Sequence, residues 1–176
     1  MLGSLDNIPT NHMTNICTVR YIGAGEEIEI CNLVARSFNE FIATEFSEEG
    51  VEEFFEYANP RAFKKRLETG YLAMVSETDS KLAGVIELKG YNHISMLYVD
   101  KAFHKKGVAK ELIRVALEEA SSNYSSHDDI TVNSSRYAVP FYEKLGFIQI
   151  EEEKTIYGVI HIPMIVKYSK LLESLL

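Results

Sequence analysis

A chain of 176 residues, 46% hydrophobic and 25% charged, has the size and composition of one globular domain with a real hydrophobic core. Its net charge of −8 disfavours nucleic acid as a partner, which needs a basic stripe, and mildly favours a cationic small molecule or amine. No apolar run is long enough to span a bilayer, and residues 1–15 lack the apolar block of a signal peptide. The expectation is therefore a flexible leader over 1–15, in which Met13 could be the natural start, then a single domain over 16–176 in the cytoplasm, with no membrane contact.

In chain order, Cys17 to Ile22 reads as a short strand, and Gly23-Ala24-Gly25 turns it into a helix over about 26–42. Ile30, Leu33, Val34, Ser37 and Phe38 share one face of that helix. A second helical stretch runs over about 47–67 and is broken at Asn59-Pro60, because a proline ring cannot continue a helix interior. Apolar runs at 71–76, 82–89 and 93–99, joined by polar turns at 78–80 and 90–92, predict an antiparallel meander. The helix over 107–121 is the clearest element. Val108, Ala109, Leu112, Ile113, Ala116, Leu117 and Ala120 make its apolar face, and Lys110, Arg114 and Glu118 its wet one.

A polar loop leads to a strand over 130–133, then to a short helix ending at Leu145 with Gly146 as its C-cap. Strands over 147–152 and 159–167 close the chain. This order predicts an α/β domain: a mixed, mostly antiparallel sheet of about seven strands with helices on both faces. The strand over 93–99, the long helix and the strand over 130–133 form a crossover unit, so those two strands are expected to be parallel.

Strand, lysine-bearing loop, glycine and helix in succession are a physical recipe for a phosphate cradle. A helix starting near Gly107 presents unpaired N–H groups and a positive dipole end, and Lys105, Lys106 and Lys110 add charge. On this local pattern alone, a plain strand-to-helix turn with solvated lysines explains the segment equally well. Gly23-Ala24-Gly25 is the rival phosphate motif, but a dinucleotide fingerprint needs glycine where Ile28 stands. Cys17 and Cys31 form no CxxC and are expected to be free and buried; the five histidines form no HExxH pair, so no metal site is expected.

His104-Lys105-Lys106-Gly107-Val108-Ala109 is similar to the Q/R-x-x-G-x-G/A signature of the GNAT superfamily of N-acetyltransferases. Met96-Leu97-Tyr98-Val99 resembles the family's fourth strand, and the stretch from Ala138 to Phe147 its second motif. The resemblance extends from about Cys17 to Lys167. It departs at His104, where the signature has glutamine or arginine, and at Ser135, where the family often has asparagine. It implies a GNAT-like fold in which acetyl-CoA, as acyl-donor substrate, lies where the fourth and fifth strands splay. Leu97 and Val99 would meet the pantetheine arm, and residues His104, Lys105, Lys106, Gly107, Val108, Ala109 and Lys110 the pyrophosphate. A main-chain N–H near Leu97 or Tyr98 would polarise the thioester, and Asn133 either holds pantetheine or water or is a plain turn residue.

The amine would attack directly, without an acyl-enzyme, so the cysteines are not needed as nucleophiles. Tyr142 matches the family's general acid for the departing thiolate. A base is also needed, because amines titrate near about 10 and arrive protonated. His93 is the first candidate, Glu87 the second, and Glu45 a residue that could line the amine site. The acceptor is a polyamine, an aminoglycoside-like drug, an amino acid, or a protein lysine or N-terminus. Phe38, Phe41, Phe46, Phe54, Phe55 and Tyr57 read as helix packing, and the glutamates between Glu40 and Glu56 as a solvated face. The alternative to an enzyme is a non-catalytic acyl-CoA-binding sensor or interaction domain. Homodimerisation through the final strands or helices is consistent with the family.

Overall fold

Short-range chemistry places the first helices. In the computed structural model, which describes residues 12, 13, 17–123 and 128–176, α1 spans Glu27–Phe41 and buries the predicted face of Ile30, Leu33, Val34, Ser37 and Phe38. Ser47 accepts the backbone N–H of Gly50 at 3.2 Å and starts α2, Glu48–Tyr57. Asn59 accepts from Ala62 N–H at 2.9 Å, and Pro60 occupies the first turn of α3, Pro60–Glu68. The Asn59-Pro60 break is thus a new helix start, where the missing proline N–H costs nothing.

The sheet is built from β1 (His12–Met13), β2 (Thr18–Tyr21), β3 (Leu72–Thr78), β4 (Lys81–Lys89), β5 (His93–Val99), β6 (Asp129–Ser134), β7 (Ile148–Gln149), β8 (Lys154–Ile156) and β9 (Val159–Lys167). Their order is β1-β2-β3-β4-β5-β6-β9-β7, with β8 pairing the first part of β9 as a hairpin. Of the leader, His12 and Met13 pair with β2; the remainder lies outside the described residues. Helix α4, Val108–Glu119, carries the crossover, and β5 and β6 are parallel as expected. Every other strand pairing is antiparallel. One core lies between the sheet and α4, with α5 (Val139–Lys144) and α6 (Tyr168–Leu175) at its margin; the other lies under α1 and α3.

The parallel pairing is short: it joins His93 to Thr131 and Ile94 to Val132, and then the strands part. The cause is in β5. Its partner β4 matches Glu87 with Met96 and Leu88 with Ile94, so Ser95 is an extra residue, a β-bulge. One extra residue reverses side-chain parity. Ile94 therefore packs in the core under α4, whereas Met96 packs in the core under α1.

Two features of the C-terminal region correct the sequence reading. The chain ends in a helix, α6, whose Leu171 is fully buried. It follows β9 without a glycine or proline to punctuate it, so the sequence offers no boundary there. The expected strand over 147–152 is a two-residue edge followed by the separate β8–β9 hairpin. Cys17 and Cys31 are free and buried, and burial pushes both thiols up to about 11, which leaves no reactive thiolate at neutral pH.

Helix α2 meets the β8–β9 turn backbone to backbone. A Cβ on Gly50 would overlap the Gly158 carbonyl, and one on Gly158 would overlap Ser47 Oγ and the Gly50 amide. Helix propensity favours alanine over glycine by about 1 kcal/mol, but overpacking against immovable backbone costs about 1–3 kcal/mol. Gly50→Ala is therefore expected to lower Tm despite improving the local helix. A raised Tm would show that α2 and the hairpin are free to separate.

Candidate active site

Where β5 leaves β6, a cavity of about 440 Å³ opens on the α1–α3 face of the sheet. Its walls come from β5, the end of β6, α2, α5 and the β8–β9 hairpin. The sequence candidates His93, Leu97, Tyr98, Asn133 and Tyr142 all line it.

Tyr142 sits in α5 with its ring edge-on to Phe141 and Phe147, at centroid separations of 5.3 and 5.2 Å. Only 4% of the residue is exposed, and among the described residues its hydroxyl has no hydrogen-bond partner. Burial raises its phenol pKa, so the group stays protonated and is a donor awaiting an acceptor. Tyr98, also on the cavity wall, is raised by burial in the same way.

His93 Nδ1 lies 2.8 Å from Thr131 Oγ1 across the paired segment of β5 and β6. That contact orients the ring and leaves Nε2 unpaired among the described residues. Burial, then the nearby Lys89 and His161, lower its pKa below the ordinary imidazole value. The ring is neutral at neutral pH and able to take a proton.

Glu87 is placed differently. It is fully buried in β4 and does not line the cavity. Arg66 Nε donates to both its oxygens, at 3.1 and 3.0 Å, and the Tyr57 hydroxyl donates at 2.9 Å. Arg66 also donates from Nη1 to the Tyr57 carbonyl at 2.6 Å and covers the Tyr57 ring at 3.8 Å. Burial pushes the Glu87 carboxyl up, and Arg66 and Tyr57 pull it back only in part. Tyr57, which does line the cavity, also hydrogen-bonds Ser95, the extra residue of the bulge. The network thus ties α2 and α3 to the sheet where β5 bends. Sequence reading left Arg66 and Ser95 unremarked and took Tyr57 as packing. The spacing carries no signal for them, since they meet from α3, β5 and α2.

At the other end of β5, Gly107 caps α4 in the left-handed region (φ 83°), and no side chain caps this helix. Lys105, with φ 61°, and Lys106 are exposed; the Lys106 ammonium lies 5.3 Å from the Phe103 ring centroid. Val108 is buried in the core and Ala109 half-buried, so this segment offers backbone rather than side chains. Lys110 donates to the Ser174 carbonyl of α6 at 3.1 Å. The His104 ring is engaged with its own strand: Nε2 donates to the Val99 carbonyl at 2.8 Å, which also accepts from Ser37 at 3.2 Å. The Val99 carbonyl is therefore already engaged.

The His104 ring stacks on Phe41 (4.7 Å), and Phe41 stacks on Tyr137 (4.9 Å), so the end of α1 bridges the two banks of the cleft. Glu45 completes the bridge by accepting from Arg136 N–H at 3.0 Å and Tyr137 N–H at 2.8 Å. It is a cap for the turn into α5. Ser135 Oγ adds a 3.3 Å contact with Ala138 N–H. Asn133 is exposed on the cavity rim, with no side-chain hydrogen bond among the described residues.

Comparison with known proteins agrees with this architecture. The family model of the acetyltransferase (GNAT) domain matches residues 42–168. The chain is 30% identical over 63 residues to an uncharacterized N-acetyltransferase, YafP, from Escherichia coli, a match covering 36% of this chain and 37% of that protein. Its fold resembles a GCN5-related N-acetyltransferase from Rhodopseudomonas palustris (TM-score 0.75, 24% identity, 89% of this chain and 99% of that one). It also resembles the PaiA N-acetyltransferase from Thermoplasma acidophilum, solved with coenzyme A (TM-score 0.67, 18% identity, 89% of this chain and 100% of that one).

The buried ion pair makes a direct energetic prediction. Arg66→Leu strands the Glu87 carboxylate without a counter-charge and is expected to cost about 3–5 kcal/mol. Adding Glu87→Leu should recover most of that loss in denaturant melts. Strictly additive losses would show that the two charges are not coupled.

Proposed function

The chain belongs to the GNAT acetyltransferase family, and we propose on that premise that it moves the acetyl group of acetyl-CoA to a primary amine by direct attack in a ternary complex. The observation that carries this reading is the two-residue pairing of β5 with β6. Above it, the β6-facing edge of Ser95–Val99 has no strand partner and runs from the uncapped start of α4 to the unpaired Tyr142 hydroxyl. A chain with amide groups, ending in a thioester and beginning in a pyrophosphate, matches that track.

In this reading, the α4 N-terminus and the Lys105 and Lys106 ammonium groups hold the pyrophosphate. The open edge of β5 at Leu97 and Tyr98 pairs with the pantetheine amides, and an amide N–H there polarises the thioester carbonyl. His93, neutral because it is buried beside Lys89, takes a proton from the incoming ammonium. The freed amine attacks the carbonyl carbon, and the carbon–sulfur bond breaks as the tetrahedral intermediate collapses. Tyr142 gives its proton to the leaving thiolate, and the second amine proton restores the phenol. Glu87, locked by Arg66 and Tyr57, is a positioning residue that holds Tyr57 against the bulge.

Two tests follow from the assigned roles. Calorimetry should show acetyl-CoA binding that Gly107→Glu abolishes by placing a carboxylate at the phosphates. Gly107→Asn, which tolerates the left-handed backbone, should retain much of it; equal binding by the Glu variant and wild type would remove the cradle. Under conditions where chemistry limits turnover, kcat/KM should fall on acidification with a midpoint below the free imidazole value of about 6.5. His93→Gln should remove that limb, and Tyr142→Phe should slow turnover with acetyl-CoA affinity unchanged. A wild-type rate in Tyr142→Phe would exclude the acid role.

A further inference from the structure

We propose that Lys89 and His161 form a carboxylate subsite around His93, and that the acceptor is an amine with a carboxylate beside it, a free amino acid or close analogue. This inference rests on the acetyl-transfer reading for the reaction, but the subsite stands on its own geometry. Lys89 on β4 is the direct cross-strand partner of His93, which puts both side chains on the same face of the sheet. On β9, Ile160, Ile162 and Met164 alternate into the core under α4, so His161 points to the opposite face, the cavity side. All three side chains line the cavity, each from a different strand.

Such a grouping is unfavourable by itself. The Lys89 ammonium disfavours a second positive charge on the imidazole directly across from it, and Lys89 has no ion-pair partner among the described residues. Among the described residues Glu53 on α2 is the one carboxylate lining the cavity, and it perturbs neither imidazole. Burial depresses both rings, and Lys89 and His161 depress His93 further. In a chain with 26 acidic residues against 18 lysines and arginines, this corner has been left without a counter-charge. An incoming carboxylate supplies it. The same anion would raise the basicity of His93 as the acceptor's ammonium arrives beside it, coupling recognition of the acid group to removal of the amine proton.

The geometry also says where each end of the acceptor goes. The parallel pairing ends at His93–Thr131 and Ile94–Val132, so the floor of the cleft is the Lys89–His93 row. A carboxylate held there places an adjacent amine against His93 and below the open edge of β5. A polyamine would bring a second cation to the same corner and be repelled.

The first test needs no turnover. The imidazole midpoints of His93 and His161 are followed by NMR in the presence of N-acetylglycine or its uncharged counterpart N-acetylglycinamide. The expected result is an upward shift of both midpoints with N-acetylglycine alone, diminished in the exposed-site variant Lys89→Ala. No shift, or equal shifts with both compounds, overturns the subsite. The second test compares thiol release with lysine against 1,5-diaminopentane, and with phenylalanine against phenethylamine. The carboxylate-bearing member of each pair is expected to have a kcat/KM at least about tenfold higher, since each tenfold corresponds to about 1.4 kcal/mol of differential binding. Lys89→Ala and His161→Gln should erase that preference mainly through KM. Equal or reversed preference overturns the acceptor class. Absence of thiol release with every amine would instead sink the acetyl-transfer reading, while the NMR result still decides the subsite.

Discussion

The extra residue at Ser95 is the constraint on which the site depends. By inserting one position into β5 opposite Glu87 and Leu88, it bends the strand, reverses which core the following residues enter, and ends pairing with β6 after two residues. A bulge is costly to hold by itself, because it leaves a ladder position unmatched. Here it is pinned by the Arg66–Glu87 ion pair beneath it and by Tyr57, which contacts both Glu87 and Ser95. The buried charges therefore have a specific structural role: they anchor two helices to the sheet at the β5 bulge. A hydrophobic replacement of similar volume could equal them in stability, but it would leave the Tyr57 hydroxyl without its carboxylate acceptor.

From that point the two banks of the cleft are positioned separately. The β5 bank continues through the His104 turn into α4, with the His104 ring bonded to the strand's last carbonyl. The β6 bank continues through the Ser135–Tyr137 turn into α5, which carries Tyr142. Phe41 and Glu45, at the end of α1 and in the turn after it, span the gap between them. Helix α1 is itself rooted in the core by Phe38, whose ring stacks on Phe54 of α2. The separation of the banks is thus set by the helical layer above the sheet as well as by the bulge.

Electrostatics act locally against the overall charge. The chain is acidic, yet Lys105 and Lys106 beside the α4 start are exposed, and Lys89 beside the two imidazoles at the cavity floor has no ion-pair partner among the described residues. The acetyl-transfer proposal puts the anionic groups of donor and acceptor at these two places. The many glutamates of α1 and α2 are largely solvated, and Glu53 alone reaches the cavity. Net charge therefore said little about the ligand, because screening and distance confine each charge to its neighbourhood.

Sequence alone determined most of the elements and the glycine-capped helix start at Gly107. Periodicity placed α1, α4 and the β3–β5 meander, Asn59-Pro60 placed the α2–α3 break, and the segment around Gly107 marked a helix start open to an anion. These features are local: hydrogen bonds and side-chain spacing within a dozen residues specify them. The C-terminal helix and the β8–β9 hairpin were missed because no turn residue separates α6 from β9 and because β8 is only three residues long. What tertiary structure alone decided is how distant residues meet. Glu87 read as a candidate base and Glu45 as a residue that could line the amine site; the fold pairs the first with Arg66 and Tyr57 and the second with the backbone of Arg136 and Tyr137. Tyr57, Lys89 and His161 gained their meaning only when α2, β4 and β9 converged on one cavity. The bulge itself is a matter of register between two strands, and register exists only once both strands are paired.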